Sequence, residues 1–125
     1  MKKGLEPELK KFVDAICGRK VGNLVGLDVR NLTSVADAFF ICSGRSSRHV
    51  SAIADHIRLE LKKEKISPLS IEGQKTGHWI ILDYGYVVIH VFYEPIRALY
   101  DLEGFWADAP RLETGWKPDS TGDIS

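Results

Sequence analysis

Trp79-Ile-Ile-Leu-Asp-Tyr-Gly-Tyr-Val-Val-Ile-His-Val-Phe92 decides how this chain folds. It predicts two apolar strands folded over a short turn at residues 83–86. Side chains alternate across a strand, so Ile80, Leu82, Val87, Ile89 and Val91 form one wholly aliphatic face. A two- or four-residue turn, with Leu82 opposite Val87, keeps that set together. A three-residue turn would mix the faces, which burial disfavours. The alternates are Trp79, Ile81, Asp83, Tyr86, Val88, His90 and Phe92. That mixture makes a poor dry core and a good recognition surface.

Outward from the hairpin, the chain alternates strands and helices. Pro7 suits a first helical position, Leu9, Phe12, Val13 and Ile16 follow at helical spacing, and Gly18 or Gly22 can stop the helix. Strands are expected at 24–29, 36–43 and 68–72. A long helix starts near Ser47, with Val50, Ile53, Ala54, Ile57 and Leu61 as its apolar stripe. Pro95 opens a third helix through Ile96, Leu99 and Tyr100, and residues 106–110 close the fold. The expected architecture is a single α/β (α+β) domain: a five-stranded mixed sheet flanked by helices. A right-handed crossover is expected across 36–72. Residues 1–113 form the domain. Residues 114–125, rich in Gly, Pro, Ser, Thr and Asp, read as a flexible C-terminal tail.

Composition bounds the function. The 125 residues are 44% hydrophobic and 27% charged, ordinary values for a globular protein. No apolar run approaches a membrane span. The opening Met-Lys-Lys-Gly-Leu-Glu-Pro-Glu carries no signal-type segment, and Cys17 and Cys42 form no paired motif. Both suit a reducing cytosol. Net charge is zero but unevenly spread: residues 1–78 hold 14 Lys and Arg against 9 Asp and Glu, whereas residues 79–113 hold 2 against 6. The aromatic-rich part is thus the acidic part, which favours a basic protein surface as partner over a phosphate backbone.

Motifs for chemistry are sparse. Gly44, Arg45, Ser46, Ser47 and Arg48 lie between a strand and a helix start, where free N–H groups could hold an anion. The plainer reading has Ser46 or Ser47 capping the helix and Gly44 making the turn. A two-metal nucleotidyl transferase needs carboxylates projecting together from a strand. Asp-x-Asp is absent, Asp101 and Glu103 lie in a helix or turn, and Asp28 and Asp37 would face each other without a third acid. His49, His56, His78 and His90 show no zinc spacing. Cys42 reads as packing. No cofactor is expected. The stronger signal is Trp79 and Tyr84, which flank loops and are expected to be exposed, as rings at interface centres are. Trp106 and Tyr100 are expected to fill the sheet–helix core, at least in part.

Several blocks, in order, carry a resemblance. They are Asp28-Val-Arg-Asn-Leu-Thr-Ser-Val-Ala-Asp37, Phe40-Ile-Cys-Ser-Gly-Arg-Ser-Ser-Arg48, Ala52-Ile-Ala-Asp55, Glu72-Gly73, residues 79–85, residues 87–92, Tyr100-Asp-Leu-Glu103 and Trp106-Ala-Asp-Ala-Pro110. Together they resemble the ribosomal silencing factor family, also called Iojap, over roughly residues 7–110. The resemblance implies a bacterial, cytoplasmic, non-enzymatic factor with relatives in organelles. It implies binding to the large ribosomal subunit through ribosomal protein fourteen at the intersubunit face. Docking of the small subunit is then obstructed, and translation is damped when nutrients fall. It also implies a nucleotidyltransferase-like fold without catalytic acids, and a homodimer when free. Ala38, Tyr86 and Leu99 depart from the family pattern, and Tyr86 removes a negative charge beside the implied contact.

Carried onto this chain, the family's contact region falls on Trp79, Leu82, Asp83 and Tyr84, with Glu103 and Asp108 as weaker candidates. Leu82 belongs to the buried set but lies near the turn, where half-exposure is expected. The alternatives are a nucleotidyltransferase-like enzyme using residues 44–48 with Asp28 and Asp37, and an RNA-binding module using the basic first half.

Overall fold

The computed structural model describes residues 4–118. Three sequence features set its first half. Pro7 enters at the start of α1 (Pro7–Cys17), where its missing N–H costs nothing. β1 (Gly22–Asp28) and β2 (Ala38–Gly44) pair antiparallel, with Asp28 opposite Ala38. Ser46 then caps α2 (Ser47–Lys63) by accepting a hydrogen bond from the His49 amide at 3.0 Å, and Lys62 and Lys63 fall in the last turn at the negative dipole end.

The second half is β3 (Ser70–Glu72), β4 (Trp79–Asp83), β5 (Val87–Tyr93), α3 (Glu94–Tyr100), α4 (Leu102–Phe105) and β6 (Arg111–Leu112). The sheet runs β3-β4-β5-β2-β1-β6. β2 and β5 are its parallel centre, while β4–β5, β3–β4, β1–β2 and β1–β6 are antiparallel. β2 is buried along its whole length and β5 at six of seven positions, as expected of strands covered on both faces. The sheet has six strands rather than five. β6 escapes sequence reading because two residues show no periodicity, yet they pair with Gly26 and Leu27.

Two cores sandwich the sheet. One face packs on α1 and α2 and contains Phe12, Ile16, Phe40, Ile53, Ile57, Ile80, Leu82, Ile89 and Val91. Burying a Leu or Phe of this kind contributes on the order of 2 kcal/mol by apolar transfer. The other holds Val25, Leu27, Phe39, Ile41, Val88 and Phe92, with Trp79, Ile81, Ile96, Leu102 and Trp106 packed against it. The face expected to stay wet is therefore largely roofed by the chain following β5. Asp101, at φ 46, breaks the helix so that α4 can turn across the sheet, and its carboxylate caps the Gly104 amide.

The hairpin keeps the expected faces but not the expected register. Leu82 pairs with Ile89, not Val87, and the Tyr84 amide donates to the Val87 carbonyl at 2.8 Å. The turn is thus Gly85 and Tyr86, with Gly85 at φ +90. A slip of two residues preserves side-chain parity, so the aliphatic face survives and Tyr84 joins it.

The tail expected from residue 114 begins by lying against the fold. The Trp116 indole N–H donates to the Val21 carbonyl at 3.3 Å, and the ring packs on the first core. Residues 119–125 lie outside the described residues.

Candidate functional site

β4 is the outermost long strand on the hairpin side, and its burial alternates half-buried and buried along Trp79–Asp83. Trp79, Ile81 and Asp83 therefore form a half-open stripe, on the face where Val88, His90 and Phe92 next door are closed. Short β3 extends the margin with exposed Ser70 and Glu72 opposite Asp83 and Ile81.

Trp79 is held from several sides. Its indole N–H donates to His90 Nδ1 at 3.1 Å, it stacks on Phe92 at 4.8 Å, and Tyr100 leans on it at 4.9 Å. Because His90 Nδ1 accepts, its ring proton resides on Nε2, which is buried and finds no hydrogen-bond partner among the described residues. Burial pushes the His90 pKa down to about 4, so the imidazole is neutral at pH 7. Asp83 stands at the far end of β4, roughly 13 Å away by strand rise. One of its oxygens accepts the Gly85 amide at 2.8 Å and shapes the turn.

The expected contact residues divide. Trp79 and Asp83 lie on the open stripe. Leu82 is fully buried rather than half-exposed, and Tyr84 is only 6% exposed rather than flanking a loop in solvent. Tyr84 packs edge-on against Phe12 at 5.4 Å, which is the consequence of the register slip. Glu103 is engaged internally: Arg97 Nε and Nη2 each donate to its carboxylate at 3.0 Å, and Arg97 Nη1 donates to Ser43 Oγ at 3.2 Å. Asp108 is exposed between α4 and β6.

Sequence reading missed Leu99, Tyr100 and Phe105, which are 75%, 57% and 78% exposed. Tyr100, expected in the core at least in part, leans on Trp79 and leaves more than half of its surface in solvent. A seven-residue helix has room to bury only one edge, and Ile96 and Arg97 take it. The shortness of the run between Pro95 and Asp101 was the available signal.

The catalytic alternatives find no assembled site. Asp28 is buried and paired with Arg30 at 3.3 Å, its strand partner is Ala38, and Asp37 is exposed. No group of three or more metal-ligating side chains occurs among the described residues. At residues 44–48 the Ser46 hydroxyl accepts the His49 amide and His49 Nδ1 accepts the Arg45 amide at 2.9 Å, so the helix start is capped from within. The Cys42 thiol, fully buried, is pushed up to about 12, which suits packing rather than nucleophilic chemistry.

Fold and surface together define an α+β domain with a half-open stripe of Trp79, Ile81 and Asp83 along β4. A family profile described as "ribosomal silencing factor during starvation" matches residues 2–124. The ribosomal silencing factor RsfS of Halalkalibacterium halodurans is 36% identical over 105 residues, covering 84% of this chain and 90% of that protein. That of Haemophilus influenzae is 38% identical over 96 residues, covering 77% and 94%. The chloroplastic Iojap protein of Arabidopsis thaliana is 32% identical over 101 residues, and the match spans 42% of its length. A crystal structure of a Chromobacterium violaceum protein aligns with a TM-score of 0.77 at 28% identity over 97% of both chains. The chain belongs to the ribosomal silencing factor family, whose members are regulators of translation and not enzymes. No helix among the described residues is long and apolar enough to cross a membrane.

Proposed function

We propose that this protein docks on the large ribosomal subunit through ribosomal protein fourteen at the intersubunit face. Docked there, it obstructs the small subunit and so represses translation under nutrient limitation. A steric block needs tight one-sided docking and no chemistry. The observation that carries the reading is the half-open stripe of Trp79, Ile81 and Asp83 in a member of this family. Aromatic rings supply contact area, and carboxylates steer and orient a basic ribosomal protein. Exposed Glu72, opposite Ile81, adds negative charge to this margin. Tyr100, more than half exposed, extends the apolar area beside Trp79. The protein acts in the cytoplasm, and a homodimer when free belongs to the same reading.

The test is co-sedimentation with purified large subunits, wild type against Asp83→Lys and Trp79→Ala. Binding should fall about 30-fold for Trp79→Ala, the equivalent of a 2 kcal/mol hot spot. Asp83→Lys should fall at least as far, because the charge is reversed. Binding unchanged in both variants would remove the stripe from the interface.

A further inference from the structure

On the opposite flank, the turn after α1 and the segment after β6 enclose a cavity of about 380 Å³. Arg19, Lys20 and Lys117 line it together with the Trp116 indole and Cys17, and no carboxylate does among the described residues. Trp116 is half-buried, and its N–H is fixed on the Val21 carbonyl, so the ring is set in place before any ligand arrives. The positive charge continues beyond the cavity. His49 Nε2 lies 3.2 Å from the Lys20 carbonyl, which brings the start of α2, with exposed Arg45 and Arg48, alongside.

A flat ring beside Arg19 and Lys117, with no carboxylate among the described lining residues, matches a nucleotide: the base stacks and the phosphates pair. We propose that this cavity is an RNA subsite, in which an unpaired base stacks on Trp116 and its flanking phosphates pair with Arg19 and Lys117. Arg19 and Lys117 lie on separate segments of the cavity wall, one after α1 and one after β6, which suits the two phosphates that flank a base within a strand. The inference rests on the ribosome-docking reading for the source of the RNA. It adds a second contact, on a different surface from Trp79 and Asp83.

The experiment uses the full chain and a fluorescein-labelled single-stranded RNA of about ten nucleotides, followed by anisotropy from about 50 to 200 mM salt. Trp116→Ala should weaken binding about tenfold, and Trp116→Phe, which keeps a stacking ring, should restore most of it. Arg19→Gln and Lys117→Gln should each flatten the log–log salt slope by about 0.7. Bound RNA should also slow maleimide labelling of exposed Cys17, since Cys42 is buried. Should Trp116→Ala lose its fold, the Arg19→Gln slope and the Cys17 protection still decide the matter. An oligonucleotide that fails to bind, or that binds wild type, Trp116→Ala and Arg19→Gln alike, overturns the subsite. So does AMP competing as well as the RNA. Asp83→Lys should leave RNA binding intact while weakening co-sedimentation with the subunit at least about 30-fold. Loss of either signal alone therefore identifies which of the two readings has failed.

Discussion

The Trp79 indole donates a hydrogen bond to the Nδ1 of His90 across the β4–β5 pair, at 3.1 Å. A half-open ring on the proposed contact stripe is thereby oriented by a neutral, buried imidazole. This couples the stripe to acid. The folded pKa of His90 is about 4 against an ordinary value of 6.5. Between those values the unfolded chain takes up a proton that the folded chain refuses. Stability is therefore fully present above pH 6.5 and declines as pH falls toward 4, by on the order of 3 kcal/mol from this group. Urea unfolding at several pH values should show the decline, and His90→Phe should flatten it. An unchanged pH slope in His90→Phe would show that His90 is not its source.

Tyr84 separates a packing role from a contact role. Its hydroxyl is buried and has no hydrogen-bond partner among the described residues, and burial pushes its pKa up to about 12. Removing an unsatisfied hydroxyl costs little, so Tyr84→Phe should alter stability by less than about 0.5 kcal/mol or raise it. Tyr84→Ala should cost about 3 kcal/mol through the cavity against Phe12. Subunit binding by Tyr84→Phe should match wild type. A marked loss of binding without loss of stability would mean that the hydroxyl reaches the partner.

Arg97 and Glu103 form the strongest charged contact near the site: a two-pronged pair, with 10% and 20% of the side chains exposed. Breaking it from one side strands a largely buried charge. Glu103→Ala should destabilise by about 3 kcal/mol in urea titrations, and Arg97→Met with Glu103→Leu should recover part of that. A double variant no better than the worse single one would mean that the pair itself, and not the stranded charge, supplies the stability.

Two glycines near the hairpin should respond differently to alanine. Gly73 has φ +87, and a Cβ there would overlap the Trp79 carbonyl oxygen, a backbone atom that cannot swing away. Gly85 has φ +90, but its nearest neighbour would be the Leu69 side chain at 3.4 Å. Gly85→Ala should cost about 1–2 kcal/mol from backbone strain alone. Gly73→Ala should cost more, and should weaken subunit binding by displacing Trp79. Equal melting temperatures for the two variants would contradict this.

The sequence made the hairpin legible because its aliphatic set alternates without a break, and parity tolerates a register error of two. It did not make Tyr84 legible. Gly85 followed by one non-glycine residue suits a two-residue turn that needs positive φ only at its first position, and that signal outweighed the four-residue alternative. The second core was hidden because residues 101–110 carry no period. Their course depends on the left-handed Asp101 and on Trp106 meeting Phe39 at 5.4 Å, a contact between residues far apart in the chain. Glu103 looked available because charge counts do not reveal partners, and Arg97 lies only six residues earlier.

The central claim is that docking of this protein keeps the two ribosomal subunits apart. Its most direct measurement is sucrose-gradient sedimentation of purified small and large subunits, mixed at associating magnesium concentration with saturating protein. The account predicts that the associated peak collapses into separate subunits, with this protein in the large-subunit fraction, and that Asp83→Lys restores the associated peak. An undiminished associated peak at saturation would contradict it.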